Sequence, residues 1–241
     1  VEAVLPETAV FHKEGDTALI DVGDPLPTWD GTEPATGALV LSVLVTTSDG
    51  TYTAAAPAGW TELATDSHTA EGITTRVIVA GVDSWAGTED QFWDLGETVG
   101  SNQFEGAWTA SWVLEGGSGL TWQTPDITSA ALSYTESAGD YLLSDTVDWV
   151  APDAGWAVFA QAILVGGWVS GSFSGVSAPA ESGWGAGTAT GLAASPASDD
   201  MGDMTTGTGT PESGSVTVSG TRGTFLGTPA PKAWSIAVGA A

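Results

Sequence analysis

The stretch "FEGAWTASWVLEG" (residues 104–116) alternates with period two, placing Trp108, Ala110, Trp112 and Leu114 on one side and Thr109, Ser111 and Val113 on the other. Only an extended strand gives every second residue a common face; a helix would split these four between two sides. Two further runs, "GALVLSVLVTT" from Gly37 and "GWAVFAQAILVGG" from Gly155, are apolar without alternation and carry β-branched residues. That is the pattern of strands covered on both faces.

The remainder reads the same way. Strand candidates follow at residues 17–22, at Trp60 after "APAGW", and over "ITTRVIVAG", "TSAALSYT" and "DYLLSDTVDWV". "TATGLAAS", "GSVTVSGT" and "AWSIAVG" complete the series, with turn clusters between them. Lys and Arg total only four and few segments carry a helical period, whereas Gly numbers 33, so strands and turns dominate. The expectation is an all-β chain: an antiparallel jelly-roll β-sandwich of about ten strands. Residues 1–36 form an N-terminal strand and docking segment, and 37–241 form one sandwich domain with no evident linker.

"APAGW" (56–60) returns as "APDAGW" (151–156) and "APAESGW" (178–184). Pro57 restricts the chain, Gly59 permits a tight bend, and Trp60 can fold inward as a plug between sheets. Trp108, Trp112, Trp156 and Trp234 lie within or beside apolar strands and join Trp60 as expected core, given the area an indole removes from water. Trp29, Trp85, Trp93 and Trp168 lie in or beside turn-rich segments. They are the expected contacts with a ligand or a partner subunit, since indoles stack on sugar rings and are favoured at interfaces.

The formal charge is −26, from four basic residues (Lys13, Arg76, Arg222, Lys232) against thirty acids. Such a surface repels nucleic-acid phosphates and anionic lipid, and no apolar run is long enough to span a bilayer, so neither partner is expected. Solubility at high density and tolerance of salt follow; a halophilic or marine host is one reading, and an acidic secreted or particle-borne protein is the plainer one. The first sixteen residues lack the basic and apolar regions of a secretory signal.

The chain contains no cysteine, which removes disulfides, thiolate metal sites and cysteine nucleophiles. Its two histidines, His12 and His68, stand near no nucleophile, and no G-x-S-x-G elbow occurs. Paired carboxylates carry no information in so acidic a chain. "SDDMGD" offers Asp199, Asp200 and Asp203 as calcium candidates, without the spacing of a calcium loop, and "SDTVDWVAPD" is similar; solvated acidic loops are the alternative. No catalytic residue and no cofactor other than that calcium is expected.

The succession "GALVLSVLVTT…APAGWTELA…TTRVIVAGVD…FEGAWTASWVLEG" resembles a pattern in structural proteins of tailed phages and related viruses. There a strand leads through a loop to P-x-G-W-T, then to a strand ending in an A-G-x-D-like turn. "TATGLAAS…GSVTVSGT…AWSIAVGAA" is similar to the closing strands of such modules. The resemblance implies a jelly-roll sandwich on the virion surface, as a capsid decoration or a minor tail or fibre protein. It implies other virion proteins and further copies of this chain as partners, and no catalytic residues. The absence of coiled-coil, collagen-like or baseplate-attachment segments favours a free-standing module. The alternative is a glycan-binding adhesin or receptor-binding module that uses exposed tryptophans on a host surface.

Overall fold

The computed structural model describes residues 10–18, 26–28, 33–48, 54–70, 73–93, 106–115, 119–148, 150, 156, 158–166, 172–174, 188–192, 202–208, 215–223 and 230–241. In chain order the strands begin with β1 (Val10–Ala18), β2 (Leu26–Pro27), β3 (Leu39–Ser48), β4 (Thr61–Ala70) and β5 (Ile73–Val82). Then come β6 (Phe92–Trp93), β7 (Gly106–Glu115), β8 (Asp126–Ala131), β9 (Tyr134–Ser137), β10 (Asp140–Asp148) and β11 (Val158–Gly166). The last are β12 (Ser172–Ser174), β13 (Thr188–Leu192), β14 (Gly202–Thr208), β15 (Ser215–Gly223) and β16 (Lys232–Ala240). Among the described residues there is no helix, and every pairing between strands is antiparallel.

The strands form two five-stranded sheets, β1-β7-β3-β5-β4 and β13-β14-β11-β16-β8, a four-stranded sheet β12-β15-β10-β9, and the short pair β2-β6. The two long apolar runs, β3 and β11, both take interior positions with a paired neighbour on each side, and the side chains of β3 are buried on both faces.

The main core lies between the two five-stranded sheets. Leu39, Leu41, Val43 and Val45 of β3 and Val77 and Val79 of β5 meet Trp234, Ile236, Val238 and Ala240 of β16, with Trp122 closing the same cluster. A fully buried Leu or Val side chain of this kind contributes about 1.5–3 kcal/mol. The register pairs Leu39, Leu41, Val43 and Val45 with Leu114, Trp112, Ala110 and Trp108 of β7. A bulge between Glu62 and Ala64 of β4 breaks the alternation there, and Leu63 and Ala64 both pack against this core.

β16 is covered on both sides. Between its large residues stand Ala233, Ser235, Ala237 and Gly239, all buried. Small residues on that side let other groups come close. The Val150 N–H donates to Ser235 Oγ at 2.7 Å, and the Trp156 ring lies directly on Gly239.

Several expected boundaries move. The N-terminal strand is Val10–Ala18 rather than 17–22, and it pairs with β7 along its whole length. "TSAALSYT" is two strands, because Leu132 turns inward and its N–H donates to Pro231 O at 2.9 Å. Against about ten expected strands, the described residues hold sixteen segments, three of them with three residues or fewer.

Candidate functional site

The first sheet has a second apolar face, carrying Val40, Leu44, Ile78, Ala80 and Val82. Three indoles cover it: Trp60, Trp85 and Trp93. Each is held by a different local device. Gly59 adopts φ +86°, a conformation that glycine alone takes without strain, and the Trp60 N–H donates to Pro57 O at 3.0 Å. The chain therefore turns sharply and drives the indole inward. Its Nε1 donates to Asp90 O at 2.9 Å, while the Asp90 N–H donates to Ala58 O at 2.8 Å.

Trp85 is clamped through its backbone, donating to Ala38 O at 2.8 Å and accepting from the Gly37 N–H at 2.8 Å. Its ring meets Trp60 edge to face, with centroids 6.0 Å apart. Trp93 donates from Nε1 to Ser42 Oγ at 3.1 Å, satisfying a hydroxyl that is fully buried in β3. The intervening turn is held by carboxylates: Glu89 accepts from the Ala86 and Thr88 N–H groups, and Asp90 Oδ1 accepts from the Phe92 N–H. Arg76 Nη1 ties the loop before Pro57 to the sheet by donating to Ala54 O at 2.8 Å.

A polar cluster joins the two sheets at the other side. Asp66 of β4 accepts from Trp234 Nε1 at 2.7 Å and from Lys232 Nζ at 3.2 Å, both on Oδ2. Lys232 Nζ also sits 5.1 Å from the centre of the Trp234 ring, and His68 meets that ring edge to face. His68 Nε2 donates to Ala230 O at 2.9 Å. Burial alone would push the Asp66 carboxyl up. The hydrogen bonds from Trp234, the Ser67 N–H and Lys232, with the Lys232 charge, outweigh it and hold the group below its usual range. A carboxylate so held is an acceptor and an anchor, not a proton donor. Sequence reasoning missed this cluster: 166 residues separate Asp66 from Lys232, and no local pattern links them.

The structure thus corrects two placements. Trp85 and Trp93, expected at the surface because of their turn-rich flanks, are only 1% and 3% exposed. The turns aim these indoles inward, since the second face of the first sheet must be covered by something. Trp60 and Trp234 are buried, and Trp156 is half-buried against Gly239. Trp122, in no expected group, closes the main core and donates from Nε1 to Val40 O at 2.9 Å. Trp29, Trp168, Asp199 and Asp200 lie outside the described residues, as do the side chains of Trp108, Trp112 and Asp203. Among the described residues the large apolar side chains left exposed are Phe92 and Leu142.

No family model, no curated protein and no solved structure matches this chain.

Proposed function

We propose that this chain is a non-enzymatic structural protein of a tailed virus, displayed on the particle surface as a capsid decoration or a minor tail or fibre protein. Its β-sandwich is of the jelly-roll type over residues 37–241, preceded by a strand and docking segment over 1–36, and it works as an oligomer. The observation that carries this reading is the use of the indoles. Trp60, Trp85 and Trp93 seal one face of the first sheet while Trp122 and Trp234 fill the other, so aromatic surface that could have read a ligand holds the module rigid instead. The excess of carboxylates supports the same role, because particles coated with such a module repel one another.

The test is peptide mass spectrometry of purified virus particles whose genome encodes this chain, together with sedimentation of the isolated protein. The expected result is the chain at a fixed copy number per particle and a sugar-indifferent oligomer in solution. Absence from the particles overturns the assignment.

Glycan binding is the second reading, and exposed Phe92 is the observation in its favour. A polysaccharide that binds the wild type and not Phe92→Ala would establish it.

A further inference from the structure

We propose that the outer edge of β8 is a self-pairing edge, through which two copies of this chain join their second sheets about a two-fold axis. The inference deepens the structural role proposed above and names the surface through which copies assemble.

β8 ends the second sheet. Its inner side pairs with β16 from Asp126 to Ala131, and no described strand pairs with its outer side. Such an edge offers a row of N–H and C=O groups to any approaching strand, and proteins commonly guard it with charge, a bulge or proline. β4, one of the two edges of the first sheet, is guarded in this way: it has the bulge at Leu63 and bears Glu62, Asp66 and His68. β9 is only four residues long and bears Glu136. β8 has a continuous register, and beyond its first residue it carries no charge and no proline. Thr128, Ser129, Ala130 and Ala131 are exposed, and all are small enough for a second backbone to reach the usual strand spacing.

Charge selects the occupant. Two chains at −26 repel, so copies can meet only where carboxylates are sparse. Between Glu115 and Glu136, Asp126 is the sole acid, in a chain that has thirty. A two-fold antiparallel pairing centred on Thr128 or Ser129 sends the two Asp126 residues to opposite ends. They then stand roughly 14–20 Å apart along the strands, beyond the screening length of about 8 Å at physiological ionic strength. Ile127, half-buried at the margin of the main core, gains small-residue neighbours from the second copy and is covered further. The contact is the same patch on both copies, as closed dimers require.

The test is backbone hydrogen exchange of the full chain at concentrations either side of the association midpoint, with sedimentation in 0.05 and 0.5 M NaCl. Amides of residues 127–131 are expected to exchange about tenfold more slowly in the concentrated sample, and added salt is expected to strengthen association. Ala130→Asp sets a new carboxylate against the second copy at two symmetric places and is expected to weaken the dimer by about tenfold, with its melting curve unchanged at concentrations where both proteins are monomeric. Ala130→Ser is expected to leave it intact.

Equal exchange at both concentrations overturns the proposal, as does a chain that stays monomeric or an Ala130→Asp dimer of undiminished affinity. Should Ala130→Asp fail to fold, the wild-type exchange data still decide. An oligomer whose β8 amides stay unprotected overturns this interface and leaves the virion role standing. Absence from particles, with β8 protected, does the reverse.

Discussion

The indole of Trp234, wholly buried in β16, donates its one N–H to Asp66 Oδ2 at 2.7 Å, on the edge strand of the opposite sheet. A buried donor has to be satisfied, so this bond fixes how the two sheets sit against each other at that side.

Removing the acceptor tests it. Asp66→Leu leaves the indole N–H and the Lys232 ammonium without their partner and is expected to cost about 1–3 kcal/mol in urea unfolding. Asp66→Asn keeps a carbonyl oxygen and is expected to cost less.

Acid should loosen the same contact. The folded-state value of Asp66 lies below its ordinary one, and so does that of Asp145, which accepts from the Ser133 and Thr146 N–H groups. A depressed value means stability present above the ordinary carboxylate range and lost as pH falls through the folded value. Protonating the other acids relieves repulsion and acts in the opposite sense. The difference between wild type and Asp66→Asn isolates the contact: it should be constant at neutral pH and shrink below about pH 4. A difference that does not change with pH would count against the ionised anchor.

Two glycines lie under indoles. A Cβ on Gly81 would meet Trp122 Cδ1 at 2.6 Å, and the Trp122 ring is pinned by its bond to Val40 O. Gly81→Ala is therefore expected to destabilise by about 1–3 kcal/mol. Gly239→Ala collides with Trp156 instead, and that half-buried ring has room to tilt. Trp156→Ala should relieve much of the cost of Gly239→Ala, and a double-mutant cycle by thermal melting measures the coupling.

The β9–β10 hairpin turns through Ala138 and Gly139, at φ 55° and 92°. Two left-handed residues in a two-residue loop favour Asn-Gly, and alanine there is strained. Ala138→Asn is expected to raise stability by about 0.5–1 kcal/mol, read from the urea midpoint.

Trp85→Ala removes a buried ring from the sealed face. The expected loss is about 3–5 kcal/mol, read from urea unfolding. A variant that folds as stably as wild type would mean that this indole does not hold the lid.

Local pattern made much of this legible. The unbroken apolar run from Gly37 became β3, covered on both faces, and Pro57, Gly59 and Trp60 make the turn and plug that their chemistry implies. Trp85 and Trp93 were misleading because flanking turn residues report backbone bends and not the direction of the ring between them. What decides that direction is the uncovered second face of the first sheet, contributed by strands far away in sequence. Asp66, Lys232 and Trp234 were hidden for a related reason. A single charged residue on an edge strand looks like any solvated side chain until its partner arrives from another sheet.

The place of β16 between β11 and β8 has a consequence for how the molecule is made. β8 pairs with residues more than one hundred positions further along, and β11 waits for the same strand. During synthesis both remain without that neighbour while the intervening chain emerges. So large a contact order implies slow folding, in milliseconds to seconds, with a window in which β8 lacks its β16 partner. A fragment ending before Lys232 should lack the second sheet's spine and be captured by chaperones or by its own kind.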